Sequence, residues 1–305
     1  MTLRRSICAV FVAALLFAQG AYAADPDAVS TPPKGDTPYE KKYYADPFFA
    51  EIDAAAKNKP ARDVIAMIEL KVQDQPDRIN AASLWLRDNS IGQRDLSKVD
   101  SLYFLSYSDV TLQLARAYQR AKVNDAYVDM LKTSVMALYI YEMMGSIDAL
   151  RCADPTALAA MREDTLMPRY DKVNDAYALL TKSDFDLFET TAFIADNKFA
   201  RRAPNDFLCG LGAAKLADMK RQEGVQTFEA PNPATGKSST RVIPPKGYSY
   251  TPAYVDDTEW NKRREGMKKR IKKLWDDRFA RFEKPTAKAP APTPAPAPEQ
   301  PKTNP

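Results

Sequence analysis

The side chains able to do chemistry are few, and histidine is not among them. Without imidazole there is no Ser-His-Asp or Cys-His nucleophile, no His-ligated zinc and no histidine pH switch. The 10 glycines in 305 residues form no phosphate-cradling loop, which argues against a nucleotide-dependent enzyme. Carboxylate, lysine and tyrosine chemistry is what remains. Glu142 stands out because it interrupts the apolar run "VMALYIYEMMGSI". Burial there would raise its pKa, as a general acid requires. Glu189, in "DLFETTAF", is a second carboxylate among apolar neighbours. Two such acids facing each other across a cleft suit hydrolysis of a glycosidic bond. The plainer reading of Glu142 is a charge that meets solvent or a basic partner.

Cys152 and Cys209 are the cysteines outside the N-terminal apolar run, which holds Cys8. An isolated pair in an exported protein is expected as a disulfide. Closing a loop of that length is worth about 4 kcal/mol in the chain-entropy account. Met130, Met136, Met143, Met144, Met161 and Met167 offer thioethers of the kind that bind copper(I). Their helical spacing among Leu, Ile and Tyr instead predicts core packing. No metal and no cofactor is expected.

The richest segment is "EWNKRREGMKKRIKKLWDDRFARFEK". From Trp260 to Lys284 it holds eleven Lys/Arg against four Asp/Glu, while residues 24–259 carry a net charge of −6. Trp260, Met267, Ile271, Leu274, Trp275, Phe279 and Phe282 form one broad stripe at helical spacing, with Lys262, Arg263, Lys268, Lys269, Lys272 and Lys273 filling the rest. A basic amphipathic helix of this kind can lie on an anionic membrane surface or hold an acidic partner or polymer. It can also dock on the acidic body of its own chain. Trp260, Lys262, Arg263, Lys268, Lys269, Lys272, Lys273 and Trp275 are the candidate contact residues. Nucleic acid is not expected as a partner of an exported protein.

The elements that must position these groups read as all-α. Residues 1–23 carry Arg4 and Arg5, the apolar run Ile7 to Phe17 and Ala21-Tyr22-Ala23, the pattern of a cleaved secretory signal. Residues 24–43 read as an extended leader. Residues 44–222 read as a helical domain, an irregular bundle or a short array of helical hairpins. Asp46-Pro47 and Lys59-Pro60 are helix starts, and two long helical stretches run over residues 101–122 and 125–150. Later stretches are opened by Asp154-Pro155, Pro168, Ser183-Asp184 and Pro204-Asn205-Asp206. Residues 223–257 read as an irregular arm with a candidate hairpin, 258–284 as the basic helix, and 285–305, with eight prolines, as a disordered tail.

The hexamer "KVNDAY" occurs at Lys122–Tyr127 and again at Lys172–Tyr177. Its flanks share no apolar spacing, so it is not a duplicated unit. The first copy suits a helix junction capped by Asn124 or Asp125, and the second the interior of a helix. "LARAY", at Leu114–Tyr118, resembles the first helix of a tetratricopeptide repeat. That resemblance implies a helical-repeat adaptor.

Together these features predict an exported, periplasmic or otherwise extracytoplasmic protein. Its expected role is non-catalytic binding or structure, with the basic helix contacting an anionic envelope component, a membrane periphery or a protein partner. A carboxylate-dependent hydrolase of envelope polymers and the repeat adaptor are the alternatives.

Overall fold

In the computed structural model, residues 37–93, 99–231 and 238–283 are described. The expected signal segment, most of the leader and the Pro/Ala tail lie outside them.

Local signals set the first helices. Thr37 accepts from the Glu40 N–H and Pro38 takes the first helical position, so α1 forms over Pro38–Tyr44 within the segment expected to be extended. Tertiary contact adds to the cap, since Arg87 reaches Glu40 at 2.9 Å and the Tyr44 hydroxyl donates to Asp88 at 2.6 Å. Asp46 caps α2, Pro47–Ala56. Pro60 precedes α3, Ala61–Asp74, and α4 follows over Ile79–Asn89. Phe48, Ile52, Val64, Ile68, Trp85 and Tyr107 close these short helices around one apolar cluster. None of them is long enough to persist alone, so this burial is what makes them helical.

Two long helices form the centre. Asp100 caps α5, Ser101–Arg120, and α6 runs over Asn124–Ala149. From Met130 onward nearly every residue of α6 is buried, as its all-round apolar sequence requires. Small residues let the pair approach: the Ser134 hydroxyl donates to the Ser108 carbonyl at 2.9 Å. After α6 come α7, Ala157–Met161, a π-helical turn over Arg162–Leu166, and α8, Met167–Val173. Then α9 covers Lys182–Lys198, opened by a Thr181–Asp184 capping box rather than by Ser183. The helix expected beyond Pro204 breaks at Gly210–Gly212 into α10, Asp206–Cys209, and α11, Ala213–Lys220. Gly212 is required there: a Cβ would sit 2.1 Å from the Asp154 carboxylate, which accepts from the Ala214 N–H at 2.7 Å.

The arm contains β1, Gln226–Pro231, paired antiparallel with β2, Ser238–Ile243. Cys152 is bonded to Cys209, and the returning chain is fastened beside that bond. Val255 donates to the Arg151 carbonyl at 2.8 Å and Ala153 to the Ala253 carbonyl at 2.9 Å. This stitching sets the entry of α12, Asp257–Glu283, whose Trp260, Met267, Ile271 and Trp275 join the main core with residues of α5, α6 and α9.

The two "KVNDAY" copies have different backbones. In the first, Lys122 is left-handed at φ 57°. Val123 donates to the Tyr118 carbonyl and Lys122 to that of Gln119, the Schellman pattern. The junction is therefore made by the end of α5, and no side chain caps α6 at Asn124 or Asp125. In the second, α8 ends at Val173 and Asn174–Leu179 tightens to a 3-10 helix that buries Tyr177. Lysine carries a Cβ where the left-handed site favours glycine. Lys122→Gly is therefore expected to raise stability by about 0.5–1 kcal/mol, read as a higher urea midpoint at unchanged slope.

Candidate functional site

Glu142 is fully buried, with none of its surface exposed. It lies on the face of α6 that meets the π turn, α8 and α12. Its Oε2 accepts from the Tyr170 hydroxyl, from Trp275 Nε1 at 2.6 Å and from Arg278 Nη1 at 3.2 Å. Oε1 takes no hydrogen bond and is balanced by the Arg162 guanidinium at 3.3 Å. Arg278 also stacks over the Tyr170 ring at 3.8 Å, and Trp275 lies against Tyr139 at 4.7 Å. Burial by itself would raise the pKa. Arg278, the Tyr170 and Trp275 hydrogen bonds and Arg162 outweigh it and hold the carboxyl below its ordinary range. That is the reverse of the shift a general acid needs. Glu142 is a sealed counterion that clamps the C-terminal helix.

Glu189 does not face Glu142 across a cleft. It lies on α9 and pairs with Lys272 of α12 at 2.6 Å. Two turns further along α9, Asp196 is completely buried. Its Oδ2 receives Arg264 at 2.6 Å and Lys268 at 3.2 Å, and its Oδ1 receives Arg202 at 3.1 Å. Arg202, 1% exposed, also donates to Asp148 at 2.6 Å and to the Phe199 and Met144 carbonyls. Burial pushes Asp196 upward, but Arg202, Arg264 and Lys268 prevail and its pKa is lowered. Asp148 has fewer cations, and there burial wins and the pKa is raised.

The predicted contact residues therefore divide. Trp260 is buried with its Nε1 on the Ile147 carbonyl at 3.1 Å and Arg151 stacked on its ring at 3.7 Å. Trp275, Lys268 and Lys272 are committed to Glu142, Asp196 and Glu189. Trp260, Trp275 and Lys268 are buried against the body, whereas Lys272 pairs with Glu189 and keeps 49% of its side chain exposed. Leu274, expected on the apolar stripe, is instead 40% exposed. Lys262, Lys269 and Lys273 face solvent, joined by Arg270, and Arg263 is half-buried against Glu259. Arg264 and Arg278 were not singled out in the sequence, although they follow Trp260 at helical spacing. Asp196 and Arg202 gave no signal beyond their charge.

One recess adjoins this network. A cavity of about 110 Å³ is lined by Asp100, Ser101, Asp148, Pro204 and Asn205, among others. It is well below the roughly 300 Å³ at which small-molecule sites begin. Asp100 accepts from the Leu102 N–H and from Asn205 Nδ2, both at 2.8 Å. Burial, with Asp148 adding to it, raises its pKa to about 6 despite these bonds and Arg202. Among the described residues no cluster of three or more Cys, Asp or Glu is placed to hold a metal ion, and no helix is long and apolar enough to cross a membrane.

No family model, curated protein or solved structure matches this chain. Its site residues are therefore assigned on geometry.

Glu142→Gln leaves Arg278 and Arg162 without their counterion. It is expected to cost about 3–5 kcal/mol in urea unfolding and to expose α12 to protease. Asp100 provides a pH test. Its folded pKa lies above the unfolded value, so the folded state binds the extra proton and the group's stabilising share is lost as pH rises from about 4 to 6. Relative to the parent, Asp100→Asn is expected to gain in melting temperature across that window, and a pH-independent difference would refute the assignment.

Proposed function

We propose that this chain is an exported, envelope-associated helical protein with a non-catalytic binding role. Its contact element is the outer face of α12, offered to an anionic surface or an acidic protein partner. The observation that carries this reading is the division of the basic segment. After Arg264, Lys268, Lys272 and Arg278 have been used on the body, Lys262, Lys269 and Arg270 still face solvent with no carboxylate partner among the described residues. Docking on its own body uses four of the eleven Lys/Arg of the segment, and these three on the outer face are left for something else. The N-terminal signal pattern and the Pro/Ala-rich tail support export and a spacer role in the envelope.

Deleting α12 is a poor test, because it would uncover Glu142, Asp196 and the apolar surface under Trp260 and Trp275. Charge reversal on the outer face alone is the clean one. The triple variant Lys262→Glu, Lys269→Glu, Arg270→Glu is expected to keep its helical circular dichroism and its stability within about 0.5 kcal/mol. It should lose co-sedimentation with bacterial envelope fractions that the parent shows at low salt. Co-sedimentation unchanged by the three reversals would overturn the reading.

A further inference from the structure

We propose that the partner of this outer face is an anionic phospholipid bilayer, contacted flat and by charge alone while α12 stays packed on the body. The inference rests on the assignment of α12 as the contact element.

The helix has two sides with different work. Trp260, Arg264, Met267, Lys268, Ile271, Trp275 and Arg278 share one face at helical spacing and are spent on the interior. Lys262, Gly266 and Arg270 follow one another at steps of four on the opposite side, with Lys269 and Lys273 beside them. From residue 262 to 273 this ridge runs about 16 Å. Lys273 shares its charge with Asp277 at 2.7 Å. Lys262, Lys269 and Arg270 have no carboxylate partner among the described residues.

Gly266 is the second observation. It sits in the interior of an exposed helical face, where alanine would be better by about 1 kcal/mol. A Cβ added there meets nothing within 4 Å, so no contact inside the molecule demands glycine. The position is open space on the exposed side of the helix, between Lys262 and Arg270.

The shape favours a plane over a strand. The ridge is convex, so an extended polyanion or acidic peptide finds no groove in it. A sheet of lipid phosphates meets all its cations at once. Insertion is a different matter. Trp260 and Trp275, the aromatic anchors an interfacial helix would use, are in the core, and Leu274 is the sole large apolar side chain exposed on α12 among the described residues. The contact is therefore electrostatic and salt-sensitive. The net negative charge of residues 24–259 repels the rest of the molecule from the same surface and fixes its orientation.

The test uses the full chain and vesicles of phosphatidylcholine with or without phosphatidylglycerol. Flotation is expected with the anionic vesicles alone, weakening steeply with salt. Lys262→Gln, Lys269→Gln, Arg270→Gln together should weaken it roughly 100-fold, from the typical contribution of each basic residue near an anionic surface. Tryptophan emission should not shift, and lipids brominated in their acyl chains should not quench it, because both tryptophans of α12 stay in the core. Quenching would overturn the flat, packed mode. Binding to soluble polyphosphate or poly-aspartate through the same three residues, with no flotation, would overturn the bilayer inference and leave the contact face standing. Binding to neither would overturn both.

Discussion

A single carboxylate sealed in an apolar core constrains this molecule more than any other group. Moving an ion of that size out of water costs several kcal/mol, and an unpaired one would not stay charged. Glu142 stays charged because three separate stretches of chain supply its partners. The π turn brings Arg162, α8 brings Tyr170, and α12 brings Trp275 and Arg278. Each must arrive in one register. A shift of one residue in α12 would move Trp275 and Arg278 about 100° around the helix and leave the acid without most of its donors. The π turn belongs to the same account. One extra residue in that turn rotates the whole of α8 relative to α7, and Thr165, inside the turn, bonds both the Met161 carbonyl and the Tyr141 hydroxyl.

Asp196 repeats the device on the neighbouring helix. Lys272 meets Glu189 while Arg264 and Lys268 meet Asp196, so α9 and α12 run antiparallel with charge pairs at successive levels. Arg202 then joins Asp196 to Asp148, tying α9, the loop after it and α6 together. Buried ion pairs are weak evidence for net stability, since apolar residues of equal volume often do as well. Here they add to the apolar stripe of Trp260, Met267, Ile271 and Trp275 by pairing charges at successive levels along α9 and α12.

The helical character of the chain, its cysteine pair and several helix starts were legible in the sequence, because each is written locally. Asp46-Pro47, the all-round apolar run of α6 and the Cys152–Cys209 pair depend on near neighbours or on simple elimination. Two of the errors are tertiary and others, such as the left-handed Lys122, are local. The leader forms α1 because Arg87 and Asp88, more than forty residues away, hold Glu40 and Tyr44. The helix after Pro204 breaks because Asp154 occupies the space beside Gly212. Lys122 takes a left-handed backbone that no composition rule assigns to lysine. The site was half legible for a tertiary reason. Position in an apolar run identified Glu142 as unusual, but the sign of its pKa shift depends on cations 20 to 136 residues distant.

Two features that looked unrelated in sequence thus become one. The isolated acids suggested catalysis, and the basic stripe suggested a partner. In the fold they are counterions of each other: Glu142 takes Arg278, and Glu189 takes Lys272. A basic amphipathic helix is ambiguous in sequence because a membrane and an acidic protein body ask for the same pattern. Counting the acids that wait for it shows how much of the pattern the body uses. Three carboxylates on α6 and α9 absorb Arg264, Lys268 and Arg278, on the side of the helix turned to the body, and Lys272 at its exposed flank. Lys262, Lys269 and Arg270, which they do not reach, lie on the exposed side, around a glycine whose added Cβ would meet nothing within 4 Å. Charge left over on the face that points away from the body is not explained by the body, and it is on that surplus that a binding role for this protein depends.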